Sequence, residues 1–166
     1  MATKNLYSEE GKEKIREMAE DIEFAMLITG LDYKPFHIVP MTTKKVDEDG
    51  NIWFLSHRDS KNNQNIAENA EVHLSYSHKN GLQFLTLFGI AEIVHNSEIL
   101  EELYTSMDDI WFEGKEDPHL TAIKVIPKSA HYWDSKNNKL VTIFVLGMPF
   151  SFGDKKDSVD EGDIKL

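Results

Sequence analysis

The sequence predicts an α+β protein, mainly β, in which about six or seven antiparallel strands curl into a barrel with about three helices at its periphery. Three observations carry this. Short β-favouring runs recur with turn signals between them, such as "DEDGN" over 47–51 and "HKNG" over 78–81. Neighbouring strands are joined by these short turns, which suits antiparallel pairing. Helical signals are confined to three stretches set between the strands.

The first helix falls over 9–21. Ser8 is a cap, Glu9 and Glu10 sit in the first turn, and Ile15, Met18, Ala19 and Ile22 recur at helical spacing. "FAMLITG" over 24–30 reads as a buried strand, and "PFHIVPM" over 35–41 as the next. "IWFLSH" over 52–57 is a third, so 36–57 should form a hairpin. A short helix follows over 60–69. "EVHLSYS" over 71–77 and "LQFLTLFGIAEIV" over 82–94 are strands, with Gly89 at a bulge. A third helix, over 97–106, is capped by Asn96 or Ser97. An aromatic loop over 108–120 leads to a last hairpin, "TAIKVIPKSAHYWDS" with "LVTIFVLG", turning around Lys136, Asn137 and Asn138. The polar end, about 154–166, reads as a tail.

The bulk composition sets limits. At 166 residues the chain should be one domain with a full core. With no cysteine, disulfides, thiolate metal sites and cysteine nucleophiles are all excluded. The net charge of −11 comes with scattered basic residues, which argues against nucleic-acid binding. The N-terminal stretch has no apolar segment of the secretory kind, and no run approaches the roughly 18 apolar residues of a membrane span. A cytoplasmic protein without membrane contact is the expectation.

Pro40 raises a particular question. A proline cannot donate to a sheet ladder. Either its strand is an edge, or the gap in the ladder is where something other than protein binds. The most informative stretch is "WFLSHRDSKNNQNIAEN" over 53–69. A strand ends at Ser56 and a helix begins near Asp59 or Ser60, with Arg58, Lys61 and two serine hydroxyls around the junction. Free N–H groups at a helix start, with cations and hydroxyls beside them, suit a phosphate. The alternative is that Asp59 caps the helix while Arg58 and Lys61 are merely solvated.

Seven histidines are present, but none shows the spacing that sets two ligands on one helix face, so no metal site is expected. No nucleophile elbow and no glycine-rich phosphate loop occurs, which removes hydrolase and NTPase readings. The pairs Trp111–Phe112 and Tyr132–Trp133 near turns either pack a barrel end or cover a planar ligand.

The segments "VPM", "GNIWFLS", "SK" opening a helix, "ENAEVHLSY", "FGIAEIV", "WFEGKEDP" and "PKSAHYWD" occur in one order. In this the chain resembles the general stress protein branch of the pyridoxamine 5′-phosphate oxidase-like proteins, FMN-binding split barrels, over about 10–135. The resemblance implies that the strand holding Val39, Pro40 and Met41 runs along the flavin ring. It matches Ser56, Ser60 and Lys61 to the family's phosphate-binding elements, with His37 where the family often has an arginine that contacts the phosphate. It counts Phe54 and Leu55 among the cofactor-binding positions, while Arg58 beside them would assist at the phosphate. It also implies that Trp111 and Trp133 lie near the flavin, one of them from the partner of a homodimer.

The departures are Val39 where an arginine is common, Leu55 where threonine is common, and His37, which is not a fixed cation as arginine is. Each removes a contact to FMN. The C-terminal arginine that holds substrate in true pyridoxamine phosphate oxidases has no counterpart after Trp133, so that activity is not expected. The resemblance leaves a flavin-dependent oxidoreductase with a small electron donor or acceptor, a non-catalytic flavin-binding or sensing stress protein, or a scaffold that has lost FMN.

Overall fold

The strand-forming runs pair much as the turn signals suggest, and the chain folds around one long central strand. The computed structural model describes residues 2–3, 6–135, 142–145, 148–151 and 160–165, with side chains over 9–135 and at Ile164. In chain order the elements begin with β1 (Ala2–Thr3), β2 (Leu6–Tyr7), α1 (Ser8–Ile22) and β3 (Phe24–Thr29). Next come β4 (His37–Thr42), β5 (Lys45–Val46), β6 (Ile52–His57), α2 (Lys61–Glu68), β7 (Glu71–His78) and β8 (Gln83–Val94). The rest are α3 (Ser97–Leu103), a 3-10 turn (Ser106–Ile110), β9 (Leu120–Asp134), β10 (Thr142–Val145), β11 (Met148–Ser151) and β12 (Asp160–Lys165).

The main sheet runs β12-β9-β8-β7-β3-β4 with every neighbour antiparallel, and β6 joins β9. The two-residue β1 and β2 are the parallel pairings, both along β12. This is the split barrel. β9 is its spine: β8 occupies one edge, while β6 and then β12 share the other. Gly89 lies at the expected bulge, where the β8–β9 register shifts and a Cβ would meet the Ile126 carbonyl oxygen at 2.6 Å.

Two pairings differ from the sequence reading. The expected 36–57 hairpin is split, because β4 pairs with β3 and only β5 pairs with β6. The strand changes partner at Thr43 and Lys44, whose N–H groups donate to Glu23 O at 2.8 Å and Trp53 O at 2.8 Å. The last hairpin is also different: β10 pairs with β11, since both edges of β9 are already taken. The turn expected at Lys136, Asn137 and Asn138 lies outside the described residues. Within the stretch read as a tail, Asp160–Lys165 forms β12 and Ile164 is fully buried.

The stripe Ile15, Met18, Ala19 and Ile22 of α1 enters the main core with Leu27, Phe54, Leu74, Leu87 and Val125. Each buried Ile, Leu, Val, Phe or Met side chain there contributes about 1.5–3 kcal/mol. A second cluster, with Trp53, Leu100, Leu103, Phe112 and Leu120, lies under α3. Among the described residues no helix is long and apolar enough to cross a membrane.

Candidate functional site

The β6–α2 junction is held in place by the pairing of β6 with β9. His57 opposes Leu120, and one residue on the Arg58 N–H donates to His119 O at 2.8 Å. The chain then turns, with Ser60 N–H donating to His57 O at 2.9 Å. Ser60 is the N-cap of α2, and its hydroxyl accepts from Asn63 N–H at 3.2 Å. Ser60, not Asp59, therefore caps the helix.

The buried face of α2 is unusual, because it consists of Asn62, Asn63, Asn65 and Ile66. Asparagine is a poor helix former and costly to bury, so its bonds matter. Asn63 Oδ1 accepts from Ser56 Oγ at 2.9 Å, and Asn63 Nδ2 donates to Thr121 Oγ1 at 2.9 Å. Asn65 Nδ2 donates to Thr29 Oγ1 at 2.9 Å. Asn62 Nδ2 reaches Met41 Sδ at 3.8 Å, but its Oδ1 is buried without a hydrogen-bond partner among the described residues. A buried acceptor left unpaired costs about 1–3 kcal/mol, so it calls for an explanation.

Lys61 is exposed and makes no ion pair among the described residues, while Arg58 is only 4.0 Å from Asp59. In an acidic chain this contrasts with Lys14, Lys44, Lys45 and Lys115, each of which has a carboxylate partner. An open groove of about 530 Å³ lies elsewhere, between His95, Leu100, Lys115 and Leu120, and its lysine is engaged by Glu101.

The structure brings Ser56, Arg58, Ser60, Lys61 and Met41 into one neighbourhood. The Ser56 hydroxyl is buried and committed to Asn63 and Thr121, so it shapes the junction from beneath. β4 is an edge strand on which Pro40 opposes Met26, with Val39 and Met41 packed on the core and Pro40 facing outward. His37 opposes Thr29, which bonds Asn65 in the second turn of α2, whereas Met41 meets Asn62 in the first. Phe54 is fully buried in the core and Leu55 packs on the cluster under α3.

Trp111 is 77 % exposed and follows the 3-10 turn, which Lys44 ties down through Asp108 at 2.7 Å. Trp133 lies at the opposite end of the 15-residue β9 from Leu120, with its ring against His131 and its Nε1 buried without a partner among the described residues. Asn62, Asn63 and Thr121 escaped the sequence reading. The one available signal was an eight-residue helix whose apolar face is supplied mostly by asparagine.

The profile of the family described as pyridoxamine 5′-phosphate oxidase like matches residues 10–150. The chain belongs to that family. Among solved structures it is similar to general stress protein 26 from Bacillus anthracis, with 25% identity over 73% of this chain and 92% of that one and a TM-score of 0.65. A general stress FMN/FAD binding protein from Xanthomonas citri gives 24% identity over 84% and 99%, with a TM-score of 0.67. A protein related to general stress protein 26 from Clostridium acetobutylicum gives 21% over 87% and 95%, at 0.64. No curated protein matches.

Proposed function

We propose that this member of the family binds FMN and uses it in oxidation or reduction of a small molecule. The observation that carries the reading is at the first turn of α2. There Lys61, which makes no ion pair among the described residues, follows the capping hydroxyl of Ser60, and the next residue, Asn62, holds a buried Oδ1 with no hydrogen-bond partner among the described residues. FMN fits the cation and the helix start through its phosphate. The family and the flavin-binding protein of Xanthomonas citri support the same reading.

In this proposal Lys61, Ser60 and Arg58 hold the phosphate. Ser56 acts through Asn63, and the edge formed by Val39, Pro40 and Met41 lies along the ring, with His37 at its far end. Bound FMN would supply the redox chemistry, while the protein binds and orients it. The chain acts as a homodimer, with Trp133 at the far end of β9 from the β6–α2 junction. The alternative is a non-catalytic flavin-binding or sensing protein.

Loading the purified protein with FMN and mixing it with NADH or NADPH separates the two. Bleaching of the flavin band, followed by reoxidation with a small acceptor over repeated cycles, is the expected result. Flavin that binds but is neither reduced nor reoxidised would leave only the sensing role.

A further inference from the structure

We propose that His57, Asp59 and His119 form a site for a divalent metal ion of the zinc class. Spacing in the sequence gave no hint of it. His57 ends β6 and His119 precedes β9, and only the β6–β9 pairing brings them together. One ligand atom from each of the three residues lies within 4.8 Å of the others. The imidazoles stack at 4.8 Å between centroids and 13° between planes.

Both rings turn a nitrogen toward the same aspartate. His57 Nδ1 presents its lone pair to the Asp59 segment, accepting a long 3.2 Å bond from Asp59 N–H. His119 Nδ1 is 3.6 Å from Asp59 Oδ2. Two imidazole nitrogens and one carboxylate oxygen are ligands that zinc-class ions prefer. Ligands about 2.0–2.2 Å from a tetrahedral ion stand roughly 3.4 Å apart, so the side chains need to close by on the order of an ångström. The metal would replace the long Asp59 N–H bond on His57.

The backbone beneath is already fixed. Arg58 N–H donates to His119 O at 2.8 Å, and the Asp117 carboxylate accepts from His119 N–H at 2.8 Å and Glu113 N–H at 2.9 Å. Phe112 lies nearly parallel to His57 at 6.4 Å between ring centroids. Such outer contacts orient ligands and raise affinity. The Asp59 and His119 side chains are 68% and 50% exposed, so the remaining coordination position is open to water. The competing reading is a stacked histidine pair beside a solvated aspartate that takes no ion.

The test uses the full chain without a histidine tag, stripped with chelator and titrated with Zn²⁺ by calorimetry and with Co²⁺ by visible absorption. Saturation at one ion per chain is expected, with His119→Gln and Asp59→Asn each weakening it by at least about tenfold and His95→Gln leaving it unchanged. Because a variant can misfold, imidazole nitrogen resonances of the wild type are followed as well. Zn²⁺ should shift His57 and His119 and leave His37, His73, His78 and His131 in place. Absence of saturable binding, equal affinity in all variants, or shifts confined to other histidines would overturn the proposal.

Discussion

Asp47 shows how much a single side chain holds in this fold. It accepts from Asp49 N–H at 3.0 Å, Asn51 N–H at 2.9 Å, Asn51 Nδ2 at 3.0 Å and Trp53 Nε1 at 2.9 Å. These bonds close the turn between β5 and β6, where Gly50 takes φ +84°. Burial pushes the Asp47 carboxyl up, but the donors from Trp53 and Asn51 hold it below the ordinary value. A depressed carboxyl contributes stability above its unfolded pKa of about 3.9 and loses it as pH falls through the folded value. Asp47→Asn should therefore cost about 1–3 kcal/mol at pH 7. Urea midpoints at pH 7 and pH 3 check this, and the gap between wild type and variant should shrink in acid.

At the scale of elements, α1 is fastened to the end of β9 by a buried ion pair between Lys14 and Asp134, with Gln83 Nε2 also donating to Asp134 at 3.0 Å. Burial lowers the Lys14 pKa, but its bond and attraction to Asp134 outweigh this and raise it overall. A raised lysine contributes stability fully below its unfolded pKa of about 10.4 and loses it as pH rises through the folded value. Lys14→Met leaves the buried Asp134 charge without its cation and with only the Gln83 amide beside it among the described residues, which should cost about 3–5 kcal/mol in thermal or urea unfolding.

Asp134 follows Trp133, which the family resemblance sets near the flavin, and its own contacts are those of a structural clasp. The apolar stripe of α1 and the Gly89 bulge were legible because each rests on a local rule. The partner change at Thr43 and the β9–β12 pairing were not, because "DEGDIK" carries no strand alternation and pairing is decided by the free edge of β9. The asparagine face of α2 was hidden for a similar reason. Its meaning depends on Ser56, Thr29 and Thr121, which arrive from other strands.

For the molecule as a whole, the outer face of the sheet carries Phe24 at 59%, Met26 at 41% and Ile38 at 50% exposure, and the end of the 3-10 turn with the residue after it adds Ile110 at 79% and Trp111 at 77%. Exposed apolar area of this kind favours a second copy of the chain. Light scattering at micromolar concentration should give the mass of two chains, and a monomer would count against the shared site. The central claim, however, is that the first turn of α2 holds a phosphate. It is tested most directly by titrating wild type and Lys61→Ala with FMN and with riboflavin, which lacks the phosphate. A charge-assisted bond is worth about 1.5–3 kcal/mol, so the variant should lose roughly ten- to a hundredfold in FMN affinity and much less for riboflavin. Equal losses for the two flavins, or none for either, would contradict it.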